Sequence, residues 1–153
     1  GTLAGVGRAL KARKPGVAIA LADPAGSALA SYVNTGELTS EGGSITEGIG
    51  SSRITANFRD APVDYAWSIP DSESLPWVHE LMAHEGLGVG GSSGVNIAGA
   101  VRLARELGPG HTIVTVLADG ATRYQGKLFN PAFLRGKGLP VPEWLERAFP
   151  EPA

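Results

Sequence analysis

Gly94-Val95-Asn96-Ile97-Ala98-Gly99-Ala100-Val101-Arg102-Leu103-Ala104-Arg105-Glu106-Leu107, broken by Pro109-Gly110 and followed by His111-Thr112-Ile113-Val114-Thr115-Val116-Leu117, decides the fold. Ile97, Val101, Ala104 and Leu107 recur at helical spacing, so residues 94–107 are expected to form an amphipathic helix with those side chains inward. The run after Gly110 is rich in β-branched residues, the pattern of a strand buried on both faces of a sheet. His111 opens that strand and is expected to be structural. A helix leading into such a strand is the unit of a parallel sheet with helices packed on it.

The alternation extends upstream. Leu3, Val6 and Leu10 predict a helix over about 3–13, ended by Lys14-Pro15-Gly16. Val17 to Leu21 reads as a short buried strand, Asp23-Pro24 as a turn, and about 27–34 as a second helix. Residues 34–62 are irregular, polar and glycine-rich, which is long for a loop without a role. Asp64 to Ile69 alternates like a strand. Pro70-Asp71-Ser72-Glu73 then opens a helix with Leu75, Val78 and Met82 on one face. Beyond Leu117 come short helices and proline turns, ending in a tail, Pro150 to Ala153, expected to fray. The sum is one α/β domain without internal repeats.

Bulk composition narrows the function. The chain has 153 residues, enough for one core, and 13 basic against 15 acidic residues give a net charge of −2. That balance offers no footprint for nucleic acid or anionic lipid. No stretch approaches the ~18 apolar residues of a membrane span, and no signal peptide is visible. The absence of cysteine excludes disulfides, thiolate metal sites and a cysteine nucleophile, and fits a reducing compartment. The 22 glycines are scattered between periodic segments, which implies tight turns and close backbone approaches. The chain enters its first helix abruptly from Gly1, and so reads as a fragment.

Four features are candidates for chemistry. Gly88-Val89-Gly90-Gly91-Ser92-Ser93-Gly94 opens a helix, where free backbone N–H groups and hydroxyls suit an anion or a polar heterocycle. The competing reading is an N-cap formed by Ser92 or Ser93. Gly86 to Gly91 also matches G-x-G-x-x-G, but that dinucleotide fingerprint must follow a strand, and residues 75–85 read as a helix. His79 and His84 resemble a zinc-binding pair, yet their i, i+5 spacing sets them about 140° apart on a helix. They are expected to be surface histidines. Asp119, Arg123 and Tyr124 follow the predicted strand at its carboxyl end, where open α/β sheets place their sites. An ion pair pinning the loop is expected of Arg123.

Ala22-Asp23-Pro24-x-Gly26-Ser27, Thr46-Glu47-Gly48-Ile49-Gly50, Gly90-Gly91-Ser92-Ser93-Gly94 and Thr122-Arg123-Tyr124-Gln125-x-Lys127-Leu128-Phe129-Asn130-Pro131 stand in one order along the chain. Together they resemble the cysteine synthase (O-acetylserine sulfhydrylase) family of pyridoxal 5'-phosphate enzymes, over essentially the whole chain. The resemblance implies fold type II, a three-layer α/β architecture with a mostly parallel sheet, of which residues 1–153 are a C-terminal, cofactor-holding portion of the large domain. It implies that Gly1 and Thr2 end a phosphate loop, that Ser92 bonds the pyridine nitrogen, and that Asp119 lines the ring edge. Gly48, Ile49 and Gly50 would form the loop that closes on substrate.

A neutral hydroxyl at that nitrogen leaves the ring a weaker electron sink than a carboxylate would, which suits β-replacement. The implied reaction converts O-acetylserine and sulfide to cysteine and acetate. The resemblance also implies a cytoplasmic homodimer acting on a small amino-acid substrate. Two departures stand out. The family's Asp-Tyr-Gly-Thr-Arg-Tyr is here Asp119-Gly120-Ala121-Thr122-Arg123-Tyr124, and none of Lys11, Lys14, Lys127 or Lys137 matches the Schiff-base lysine. The chain alone is therefore expected to be inactive, with no catalytic residue of its own. The alternatives are a cystathionine β-synthase-like enzyme and a silent fragment acting as a binding module.

Overall fold

In the computed structural model, which describes residues 1–148, strands β1 (Ala20–Pro24) and β2 (Tyr65–Ile69) pair in parallel, Ala20 opposite Tyr65 and Pro24 opposite Ile69. Alternation along the strands sends side chains to opposite faces. Leu21 and Ala66 pack with Ala30 of helix α2 (Leu29–Thr35) and with Phe58. Ala22, Trp67 and Ile69 pack with Val95 and Ala98 of helix α4 (Gly91–Leu107). Helices thus cover both faces, giving three layers. The expected tail, Pro150 to Ala153, lies outside the described residues.

β1 sits three residues later than the apolar run suggested, and Asp23-Pro24 close the strand instead of forming a turn. The Ile19 N–H is taken by the Asp64 carboxylate at 2.7 Å, which also holds Lys11 Nζ at 2.6 Å, so at Ile19 only the carbonyl reaches β2, accepting the Tyr65 N–H at 3.2 Å. Asp23 is buried. Its Oδ2 accepts the Ala30 N–H at 2.9 Å in the first turn of α2, and its Oδ1 has no partner among the described residues. Desolvation raises its pKa above the usual carboxylate value.

Helix α1 (Thr2–Arg13) forms as expected but turns its small residues inward. Ala4 and Gly7 are buried, whereas Val6 and Leu10 are 49% and 43% exposed. Gly7 lies so close to Pro62 that a Cβ there would stand 3.1 Å from its ring, and this close approach selects the inward face.

The same rule corrects α4. Its buried residues are Gly91, Ser93, Gly94, Val95, Ala98, Gly99 and Leu103, not the Ile97, Val101, Ala104 and Leu107 stripe. A Cβ on Gly99 would lie 2.5 Å from Ala22 Cβ in β1. One on Gly94 would meet Val78 Cγ2 at 2.7 Å and press into the Ser74 carbonyl of helix α3 (Asp71–Glu85). Small residues let the helix axes approach, and the larger apolar residues are left half-buried on the flanks.

Helix α3 ends where Gly86 adopts a left-handed conformation, φ 66°, so a helix and not a strand precedes the glycine cluster. His79 is buried and not at the surface. Its Nε2–H donates to the Leu128 carbonyl at 2.7 Å, with its ring edge-on to Phe129 and Trp144. His84 is exposed beside Glu80. Burial holds the His79 pKa below the ordinary histidine value, against the pull of the Leu128 carbonyl and Glu80. The unfolded chain then binds the proton more readily, so stability is full above about pH 6.5 and falls as pH drops through that value. Denaturant melts at about pH 7.5 and pH 5 should show a smaller loss for His79→Gln than for the parent.

Residues 111–117 form no strand. Among the described residues they have no ladder partner, Val114 is 87% and Val116 59% exposed, and His111 is exposed as well. β-propensity marks the segment, but a strand needs a neighbour to pair with. The chain closes with a 3-10 turn (Ala121–Tyr124), α5 (Pro131–Gly136) and α6 (Glu143–Ala148). Leu128, Phe129, Leu134 and Leu145 from this part join Leu75 and Val78 of α3 in one core cluster. Among the described residues no helix is long and apolar enough to cross a membrane.

Candidate functional site

The amino end of α4 is where the sequence motifs converge. Gly90 is the N-cap in extended conformation, with no side-chain cap, so neither serine plays the capping role. Ser93 turns inward instead. Its hydroxyl donates to the Ala118 carbonyl at 2.8 Å and accepts the Ala118 N–H at 2.7 Å. Asn96 Nδ2 adds a bond to the Val116 carbonyl at 2.9 Å. The 111–118 segment is therefore stitched to α4 by side chains. Ser92, one residue earlier, is half-buried, and its hydroxyl has no hydrogen-bond partner among the described residues. That hydroxyl is a free polar group of the first turn, where the Ser93 N–H already bonds the Gly90 carbonyl at 3.1 Å and the earlier N–H groups lack intrahelical partners.

The glycines of this cluster answer to the protein's own packing. A Cβ on Gly88 would lie 2.9 Å from Ala121 Cβ, and one on Gly90 2.8 Å from both Asp119 Cβ and Tyr124 Cε2. One on Gly91 would stand 3.0 Å from Thr46 Oγ1. These contacts bring Asp119, Tyr124 and Thr46 to the rim at Gly90 and Gly91, where α4 begins. Asp119 adopts φ 61°, a left-handed conformation that aspartate tolerates better than most residues. Tyr124 fixes it, its hydroxyl donating to Asp119 Oδ2 at 2.6 Å. That bond is the main reason the Tyr124 pKa is raised, so the phenol stays protonated. Arg123 is exposed and forms no ion pair among the described residues; Lys127 takes the expected pinning role through Glu47.

The Thr46–Gly50 loop lies against this rim. Ser44 Oγ and the Ile45 N–H donate to the two oxygens of Asp71 at 2.5 and 2.7 Å, at the start of α3. At the far end the Ser27 hydroxyl accepts the Ser51 N–H at 2.8 Å and donates to the Ser51 carbonyl at 3.0 Å. Gly50, φ 84°, is closed in by Pro24 and Ser27, and a Cβ there would stand 2.9 Å from each of them. Ile49 packs onto the Ile69, Val95 and Ala98 cluster, so its side chain faces the core and not the mouth.

Gly1 is the N-cap of α1 and Thr2 its first residue. The contacts that build the α4 mouth do not involve them; the neighbour a side chain on Gly1 would meet is Asn57, at 4.0 Å. The anchors of the loop, Asp71, Ser44, Ser27 and the Glu47–Lys127 pair, escaped sequence reasoning. Their partners lie 24 to 80 residues away, and local periodicity carries no signal over such separations.

A family model described as pyridoxal-phosphate dependent enzyme matches residues 1–119, and the chain belongs to that family. Cysteine synthase 2 of Schizosaccharomyces pombe is 42% identical, aligned over 94% of this chain and 39% of its own length. Cysteine synthase 1 of Emericella nidulans is 43% identical over 96% of this chain and 42% of its own. Mouse cystathionine beta-synthase is 37% identical over 91% of this chain and 25% of its own. Among solved structures, the O-acetylserine dependent cystathionine beta-synthase from Helicobacter pylori matches with a TM-score of 0.73 and 32% identity, over 82% of this chain and 39% of that one. The α/β layers are those of a fold type II pyridoxal-phosphate enzyme. The chain spans about two-fifths of the length of the cysteine synthases it matches.

The residues present fit the cofactor. An unpaired hydroxyl at a helix mouth suits a ring nitrogen, and the free N–H groups at the start of α1 suit a phosphate.

Proposed function

We propose that this chain is the cofactor-holding part of an enzyme that makes cysteine and acetate from O-acetylserine and sulfide. The observation that carries the reading is the unpartnered Ser92 hydroxyl in the first turn of α4, next in sequence to Gly90 and Gly91, against which Asp119, Tyr124 and Thr46 pack. Identities of 42% and 43% to two cysteine synthases support it. When bound, pyridoxal 5'-phosphate supplies the electron sink that lets a group leave Cβ and be replaced.

The chain's own residues would do the following. Ser92 meets the pyridine nitrogen with a neutral hydroxyl, and Asp119 borders the ring edge with its Oδ2 already committed to Tyr124. Gly1 and Thr2 offer first-turn amides of α1 to the phosphate. Gly48, with open space on its side-chain face, lets the loop backbone lie close to the substrate, and Gly50 seats the loop against Pro24 and Ser27. In this reading residues 1–153 are the C-terminal, cofactor-holding portion of a longer enzyme, and the Schiff-base lysine lies outside them. A cytoplasmic homodimer is part of this reading.

A second reading has its own support in the match to an O-acetylserine dependent cystathionine beta-synthase. It keeps the donor and replaces sulfide by homocysteine.

The test is spectroscopic and uses the full-length protein. Purified protein should carry the cofactor's visible band, and O-acetylserine should displace that band and release acetate. Sulfide or homocysteine should then restore it, whichever is the acceptor. A protein that takes up no chromophore when supplied with pyridoxal 5'-phosphate refutes both readings and leaves the binding-module alternative.

A further inference from the structure

We propose that Glu47 and Lys127 act as a positioning pair that holds the Thr46–Gly50 loop on the mouth of α4 and so sets how firmly the amino-acid substrate is enclosed. This rests on the reading of that mouth as the cofactor and substrate site. The loop is tied at its ends, by Asp71 to Ser44 and Ile45 and by Ser27 to Ser51. Between those ties lie the apolar seat of Ile49, the contact of Thr46 with Gly91, and the ion pair from Glu47 to Lys127.

Lys127 is well placed for that task. Its N–H bonds the Tyr124 carbonyl at 3.0 Å, and Tyr124 in turn holds Asp119. The pair therefore links the loop to the Asp119–Tyr124 side of the rim, across 80 residues of sequence. The next residue, Gly48, turns through a left-handed φ of 78° with open space where a side chain would be. A pivot beside a tie is the geometry of a segment that can lift.

The strength of the tie suits a hold that is made and broken. Both side chains are about half exposed, so the pair is screened by salt and cannot lock the loop permanently. Lys127 keeps the Glu47 carboxyl ionised, its pKa lying below the usual value.

The experiment compares full-length E47Q, K127M and the exchanged pair E47K/K127E with the parent. Each single variant should raise KM for the amino-acid substrate about two- to fivefold, with kcat within about twofold, and the exchanged pair should recover much of the loss. Raising salt should increase KM in the parent and have little effect in E47Q. Hydrogen exchange should quicken at residues 46–50 in the single variants and stay unchanged in α3. Unchanged exchange at 46–50 overturns the proposal, as does a loss that spreads through α3, which marks a merely structural contact. Should the protein prove not to bind the cofactor or turn over O-acetylserine, the functional reading fails, and loop exchange alone decides whether the pair holds the loop.

Discussion

Gly94→Ala is expected to destabilise the fold by about 3 kcal/mol, the upper part of the range for overpacking a closely packed site. The added methyl would press on the Ser74 backbone carbonyl and stand 2.7 Å from Val78 Cγ2. A carbonyl within α3 cannot rotate away as a side-chain tip can. Relief requires α3 and α4 to separate, which strips Val78 and Leu75 from their core and loosens the first turn that presents Ser92. Gly5→Ala in α1 is the control, because nothing lies within 4 Å of the new methyl. It should be neutral or stabilise by up to about 1 kcal/mol. The denaturant midpoint should fall for Gly94→Ala and stay level or rise for Gly5→Ala, and a Gly94→Ala midpoint equal to the parent's would contradict the close α3–α4 approach.

Ser92→Asp is expected to keep the cofactor and lose turnover. A carboxylate in the first turn of α4 is favourable to the helix, so folding should survive. Opposite the ring nitrogen, however, it would favour the protonated pyridine and change the electron sink. A fall in kcat of tenfold or more, about 1.4 kcal/mol on the barrier, should appear with the cofactor band still present. Ser92→Ala separates the loss of the hydroxyl from the gain of charge and should lower kcat less. Equal rates for the parent and Ser92→Asp would remove Ser92 from the site.

The layers were legible where periodicity and breakers agree. The α3 helix, β2 and the glycine stop at Gly86 follow from Leu75, Val78 and the Pro70-Asp71 start. The inward face of α4 was not, because hydrophobic periodicity weighs large residues while the contact with Ala22 and Ser74 selects glycine and alanine. His79 read as a surface residue because its burial depends on Leu128, Phe129 and Trp144, all far along the chain. The resemblance made Ser92, Asp119 and Gly50 legible only as candidates for the cofactor site. What each side chain touches was not: Ser93 rather than Ser92 is committed to the backbone, and Lys127 rather than Arg123 forms the pair with Glu47.

The unpaired stretch at 112–117 bears on how these residues behave in concentrated solution. Thr112-Ile113-Val114-Thr115-Val116-Leu117 contains no charge and no proline, and its valines are open to solvent. Such a window is a template for cross-β stacking between molecules, with Pro109 on one side and Asp119 on the other as the nearest gatekeepers. Wherever this stretch is left uncovered, colloidal behaviour and not the depth of the folding well will limit the concentration that can be reached.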